Sequence, residues 1–193
     1  MKNKLSRFLI LLGLVLVTCS LILIGYNLII DYRAGVLSKS ALEEIVPIIE
    51  SNRNNSSDSN DTLEVEVDKN RYIGIITMDS VGIKLPVLKE YSQANLKIAP
   101  NLYKGSIYED NAIIIAHNSI SHFKKIEKLN IGDLVIFEDI NGNKFQYEVT
   151  YKERISEKDT DIMDQGDWDL TLFTCASNIR FRSTVRLKRV EFE

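Results

Sequence analysis

Apolar residues follow three different patterns along the chain. From Phe8 to Ile30 no residue is charged, and at 1.5 Å rise per residue a helix over this stretch crosses a bilayer core of about 30 Å. From Tyr32 to Glu50 the apolar positions Val36, Leu37, Leu42, Ile45, Val46 and Ile49 recur at spacings near three and four, which predicts a helix that Pro47 kinks or ends. Ser51 to Asp61 holds no apolar residue, cannot bury surface to offset its ordering entropy, and reads as a flexible tether.

From about Leu63 onward the runs are short, β-branched and bounded by turn residues. Residues 72–78 and 81–88 form a first pair of strands around Asp79-Ser80. Residues 102–108 and 111–117 form a second pair around Glu109-Asp110. Residues 134–138 and 144–155 flank Asn141-Gly142, a hairpin signal because both residues tolerate positive φ. The last strands are 170–174 and 183–190. Only 119–129 reads as a helix, with Ser119 or Ser121 as caps and Phe123, Ile126 and Leu129 on one stripe. Eight short strands with one or two short helices predict a mostly β domain closed into a barrel, which removes exposed sheet edges.

Charge sets the orientation of the first segment. Lys2, Lys4 and Arg7 precede the apolar stretch and Asp31 follows it, so the positive-inside rule puts the N-terminus in the cytoplasm and residues 31–193 outside. No Ala-x-Ala-like cleavage site ends the run, which favours an uncleaved signal anchor in contact with membrane lipid over 8–30. Leu16-Val17-Thr18-Cys19 faintly resembles a lipoprotein site, but Thr18 stands where a smaller residue is expected, and Cys19 reads as a plain helix residue. The formal net charge of −3 is spread over both signs with no basic block, which argues against nucleic acid as a partner. The expected organisation is a cytoplasmic stub (1–7), an anchor (8–30), an extracellular helical and polar linker (31–70) and a folded domain (71–193).

Chemistry concentrates near the C-terminus. The chain has two cysteines and two histidines. Cys19 lies in the anchor, so Cys175, closing the run Thr171-Leu172-Phe173-Thr174, is the only thiol of the polar part. His117 closes Ala112-Ile113-Ile114-Ile115-Ala116, so a strand-borne imidazole and a strand-borne thiol can meet side by side in a sheet. Arg182 follows seven residues after the cysteine. A thiol, a base and a cation in this arrangement point to cysteine-dependent acyl transfer. His122 reads as a surface helix residue.

Residues 71–192 resemble the sortases, the cysteine transpeptidases of Gram-positive cell surfaces. Thr171-Leu172-Phe173-Thr174-Cys175 matches their TLxTC signature. His117 and Asn118, then Phe123, Leu129, Gly132 and Asp133, follow their histidine-strand run, and Gly74-Ile75-Ile76, Val81-Gly82-Ile83 and Leu85-Pro86-Val87 fit their opening strands. Ala116 stands where a glycine often precedes the histidine. The resemblance implies a sortase-like eight-stranded closed β-barrel. It also implies an enzyme that cleaves an LPxTG-like sorting signal of surface proteins through a thioacyl intermediate. The product then passes to an amine of peptidoglycan or of its lipid-linked precursor.

In that reading Cys175 is the nucleophile, His117 the proton donor and acceptor, and Arg182 the oxyanion partner, with Thr174 and the N–H of Ala176 as secondary contributors. Arg180 is the rival cation; aligning Val185–Val190 with the family's last strand selects Arg182. The short 157–169 loop and the absence of an Asp-Pro-aromatic lid in 50–70 leave a class D or class A type, with class D preferred. No cofactor is expected. Some sortases bind calcium between comparable loops, which makes Glu109, Asp110, Glu157, Asp159, Asp161 and Asp164 oxygen-ligand candidates, although no EF-hand spacing is present. A cysteine hydrolase using the same pair and a non-catalytic tethered β-barrel binding module are the competing readings.

Overall fold

The computed structural model describes residues 2–54, 64–175 and 180–192, apart from the side chains of 2–5, 160 and 161. Helix α1 (Lys2–Asn54) has 53 residues and is about 80 Å long at the standard rise. It is long and apolar enough to cross a bilayer, and its most apolar window is wholly uncovered by the barrel. Pro47 does not end it. The helix runs on to Asn54, so the expected tether is helical over Ser51–Asn54, while 55–61 lie outside the described residues.

Among the described residues nine strands follow: β1 (Val65–Val67), β2 (Asn70–Met78), β3 (Ile83–Leu88), β4 (Asn101–Lys104), β5 (Ala112–Ile115), β6 (Leu134–Asp139), β7 (Lys144–Ser156), β8 (Leu170–Cys175) and β9 (Phe181–Val190). The sheet order is β1-β2-β3-β4-β5-β8-β9-β7-β6. Gly74 to Thr77 of β2 also pair with β6, which closes β2 through β9 into an eight-stranded barrel. The extra strand β1 pairs only with the start of β2, on the edge that β6 takes further along. Most pairings are antiparallel, but β3 with β4 and β5 with β8 run parallel. At the expected hairpin between β6 and β7, Gly142 has φ of 84° and Asp139 accepts from the Asn143 N–H at 2.8 Å.

The barrel interior is filled by alternate residues of each strand, among them Ile76, Val87, Ile114, Val135, Phe137, Val149, Leu172 and Leu187. The expected helix over 119–129 is instead a 3₁₀ stretch, Phe123–Lys128. Phe123, Ile126 and Leu129 are all fully buried, and their spacing of three is the 3₁₀ period rather than the α period. Three further short 3₁₀ stretches occupy Asp79–Val81, Asn95–Lys97 and Thr160–Asp164.

A second apolar cluster joins α1 to the barrel. Ala34, Ser38, Ala41, Ile45 and Ile49 form a buried stripe. The apolar members from Ala41 onward pack with Val67, Tyr72, Ile75, Leu88, Ala99 and Ile140. Residues 31–54 are therefore docked on the barrel over most of their length. Burying each of the two isoleucines is worth about 1.5–3 kcal/mol.

Candidate active site

The strand register brings the three sequence-selected residues to one end of the barrel. In β8, Leu170 and Leu172 point into the core, while Phe173 belongs to a separate outer cluster with Ile113, Ile155 and Met163. Side chains alternate along a strand, so Cys175 shares the outer face with Thr171 and Phe173. In β5, Ala112 and Ile114 face the core and Ile113 faces outward, which puts His117 on the outer side by the same alternation. The parallel pairing matches Ile115 with Phe173. It continues through the Ala116 N–H, which donates to the Phe173 carbonyl at 3.2 Å. His117 therefore leaves β5 beside the end of β8 that carries Cys175.

Arg182 comes from the other neighbour of β8. Cys175 and Arg182 are paired residues of the antiparallel β8–β9 ladder. Val185 and Leu187 of β9 face the core, so Arg182, Thr184 and Arg186 share the outer face with the cysteine. Arg180 lies before β9 in a turn, exposed, and its carbonyl accepts from the Glu157 N–H at 2.9 Å. Thr174 is fully buried, and its hydroxyl donates to the Ala116 carbonyl at 2.8 Å. The N–H of Ala176 lies outside the described residues.

His117 is half-buried, and burial, followed by the nearby Lys97 charge, lowers its pKa below the ordinary imidazole value. The neutral ring is thus favoured near pH 7. The loop after it turns back sharply: the Phe123 N–H donates to the His117 carbonyl at 3.0 Å and the His122 N–H to the Ser119 carbonyl at 3.1 Å. His122 is not the surface residue that its sequence context suggests. It is 1% exposed, its Nε2 lies 3.4 Å from the Ser38 hydroxyl of α1, and burial pushes its pKa down to about 4. It was misread because the amphipathic stripe of 119–129 does not reveal that α1 covers this loop.

Two clefts flank this region, and His117 lines one of them. One, of about 490 Å³, lies between α1 and the histidine loop, lined in part by Leu28, Asp31, Lys97, His117 and Ile120. The other, of about 280 Å³, is lined by Ile113, Thr171, Met163 and Trp168 on the outer face, further along the strands from Cys175. In the sequence Lys97 reads as an ordinary solvated charge and Asp31 only as the charge that ends the apolar stretch.

The acidic candidates for calcium are spread apart. Asp110 is ion-paired with Arg189 at 2.6 Å, Asp164 with Lys104, and Glu109 accepts from the Asn111 side chain at 3.4 Å. Among the described residues no group of three or more His, Cys, Asp or Glu side chains is placed to hold a metal ion. Glu157 and Asp159 lie in the loop before β8, and the side chain of Asp161 lies outside the described residues.

Comparison with known proteins places this barrel in a family. The sortase-domain family model matches residues 76–190, more than half of the chain, and this protein belongs to the sortase family. It is 27% identical over 135 residues to Sortase A of Bacillus anthracis, a match covering 67% of this chain and 64% of that protein. The chain therefore spans slightly less than two thirds of that relative's length. The solved structure of a Clostridium perfringens Sortase D5 transpeptidase has a TM-score of 0.63 at 22% identity, covering 81% of this chain and 99% of that one. A Clostridium perfringens sortase C solved with the C-terminal cell wall sorting motif has a TM-score of 0.56 at 21% identity, covering 79% of this chain and 91% of that one. At these identities the structural likeness speaks for the fold.

Proposed function

We propose that this sortase is a membrane-anchored cysteine transpeptidase with Cys175 as nucleophile, His117 as general acid and base, and Arg182 as the oxyanion partner. The observation that carries this reading is the register: β5, β8 and β9 are neighbours, with His117 two residues past the end of β5, Cys175 at the end of β8 and Arg182 opposite it at the start of β9. His117 takes the proton of the Cys175 thiol, and the thiolate so formed attacks the scissile carbonyl of the substrate. His117 protonates the amine that leaves as the carbon–nitrogen bond breaks, and a thioester remains. An incoming amine loses its proton to His117, attacks the thioester carbonyl and releases the thiolate. Arg182 offers a planar fork of N–H donors that suits the oxyanion of both tetrahedral intermediates.

The substrate in this reading is an LPxTG-like sorting signal at the end of a surface protein, cut after its threonine. Family membership supports that class, as does the sortase C relative solved with a cell wall sorting motif. The acceptor is an amine of peptidoglycan or of its lipid-linked precursor. Helix α1 is the anchor, with the basic N-terminus in the cytoplasm and the barrel outside the membrane.

The test is to incubate full-length protein in detergent with an LPxTG-like peptide and measure its intact mass. The expected result is an acyl adduct on Cys175, absent in Cys175→Ala, that an added amine resolves to a transpeptidation product. Failure to form an adduct rules out the enzyme reading. An adduct that water resolves equally well with and without the amine identifies a hydrolase instead.

A further inference from the structure

The anchoring helix holds the histidine loop directly. Asp31, the first charged residue after the apolar stretch, accepts from the Ser121 N–H at 3.3 Å through Oδ1, and the Ser121 hydroxyl also donates to Oδ1. The same hydroxyl lies 3.0 Å from the Asp31 carbonyl oxygen. One turn further along α1, Gly35 lets the two backbones approach: a Cβ at that position would lie 3.3 Å from the Ser121 Cβ. A turn beyond that, Ser38 donates to the Ile98 carbonyl at 2.7 Å and faces the buried His122 ring. Positions 31, 35 and 38 lie on one face of the helix, so this is a continuous docking seam.

The seam ends on the residue whose position matters most. Ser121 sits in the tight turn that begins at His117 and is closed by the Phe123 N–H on the His117 carbonyl. A displacement of Ser121 is therefore passed to His117 through a short, hydrogen-bonded loop. His117 leaves the β5–β8 ladder just before this turn, and Asp31 grips the loop on the far side of the turn.

We infer that Asp31, through Ser121, is a positioning residue that sets His117 against Cys175, so the first turn of α1 beyond the apolar stretch belongs to the reaction apparatus as well as to the anchor. This rests on the catalytic role proposed above for His117. Asp31 touches no reacting atom. Its effect is expected mainly in kcat, because Asp31 holds the histidine loop through Ser121 and proton transfer depends on the placement of the imidazole.

The experiment uses full-length protein in nanodiscs with Asp31→Ala, Asp31→Asn, Ser121→Ala and the Asp31→Ala/Ser121→Ala double variant. Kinetics with a sorting peptide are read beside hydrogen exchange of the amides of residues 117–124, which needs no substrate. Asp31→Ala is expected to lower kcat about 10-fold or more with KM changed less than two-fold, and to speed exchange in 117–124. Asp31→Asn, which keeps an acceptor oxygen, is expected to recover part of both effects. The double variant is expected to match the worse single variant rather than multiply the two losses. Unchanged exchange in 117–124 overturns the clamp. Faster exchange with kcat unchanged, or multiplied losses in the double variant, overturns positioning through Ser121. If His117→Ala itself stays active, the catalytic reading fails, and the exchange data still report separately whether the clamp exists.

Discussion

Thr174 donates its hydroxyl to the Ala116 carbonyl at 2.8 Å, tying the residue before the candidate nucleophile to the residue before the candidate base. The bond joins β8 to the end of β5 across 58 residues of sequence. It gives the second threonine of the Thr171–Cys175 signature a physical task.

Thr174→Val keeps the shape of the side chain and removes the donor. The Ala116 carbonyl then loses its side-chain partner at a fully buried position, at a cost of about 1–3 kcal/mol. Urea unfolding of the variant should show a lower midpoint with an unchanged slope. If the bond also aligns the two reacting side chains, kcat falls more than KM rises.

The choice between the two arginines is open to a direct test. Loss of an oxyanion donor typically costs about 10²–10³ in kcat, and lysine keeps the charge without the planar fork of donors. Arg182→Ala is expected to lose at least that much, Arg182→Lys to recover part of it, and Arg180→Ala to stay near the parent rate, with circular dichroism verifying the fold of each. A dead Arg180→Ala beside an active Arg182→Ala would move the oxyanion role to the turn before β9.

His122 makes stability depend on pH. Its folded pKa of about 4 lies below the unfolded value of 6.5, so the unfolded chain binds the extra proton between these values. The stabilising contribution is complete above about pH 6.5 and is lost as pH falls toward 4, amounting to at most about 3 kcal/mol. His122→Gln should flatten the pH dependence of the unfolding free energy in this window. An equally steep dependence in the variant would assign it to other groups.

Residues 31–54 are expected to behave as part of the folded unit. A fragment beginning at residue 62 exposes Val67, Tyr72, Ile75, Leu88 and Ile140, which pack against α1. Relative to a fragment beginning at residue 31, its Tm should fall by roughly 10 °C or more, with increased binding of a hydrophobic dye. Equal melting temperatures would mean that the helix contributes little beyond tethering.

Calcium dependence is checked by assaying activity in excess EDTA and in millimolar calcium. The dispersed acidic side chains, with Asp110 and Asp164 already paired to Arg189 and Lys104, lead to an expected change of less than two-fold. A larger activation by calcium would require the 157–169 loop to gather its carboxylates on binding.

The strands were legible in the sequence because alternation along a strand is a local property. Residues 134–139, 144–156 and 170–175 follow their apolar patterns to within a residue or two, and Asn141-Gly142 marks its hairpin because positive φ is a property of the residues themselves. Cys175 and His117 stand out as candidates because thiols and imidazoles are so rare in this chain, and Arg182 through its place before the family's last strand. What required the tertiary structure is every feature in which one element covers another. Phe123, Ile126 and Leu129 suit either an α or a 3₁₀ helix until the barrel decides how tightly the segment must wind. Pro47 weakens α1 locally, but a docked face that buries Ile45 and Ile49 on either side of it keeps the helix going. His122 and Asp31 look solvated until α1 is laid across the histidine loop, and only the β8–β9 ladder shows Arg182 opposite Cys175. Periodicity is written into neighbouring residues, whereas burial and register depend on partners distant in sequence, whose placement follows from the closure of the whole barrel.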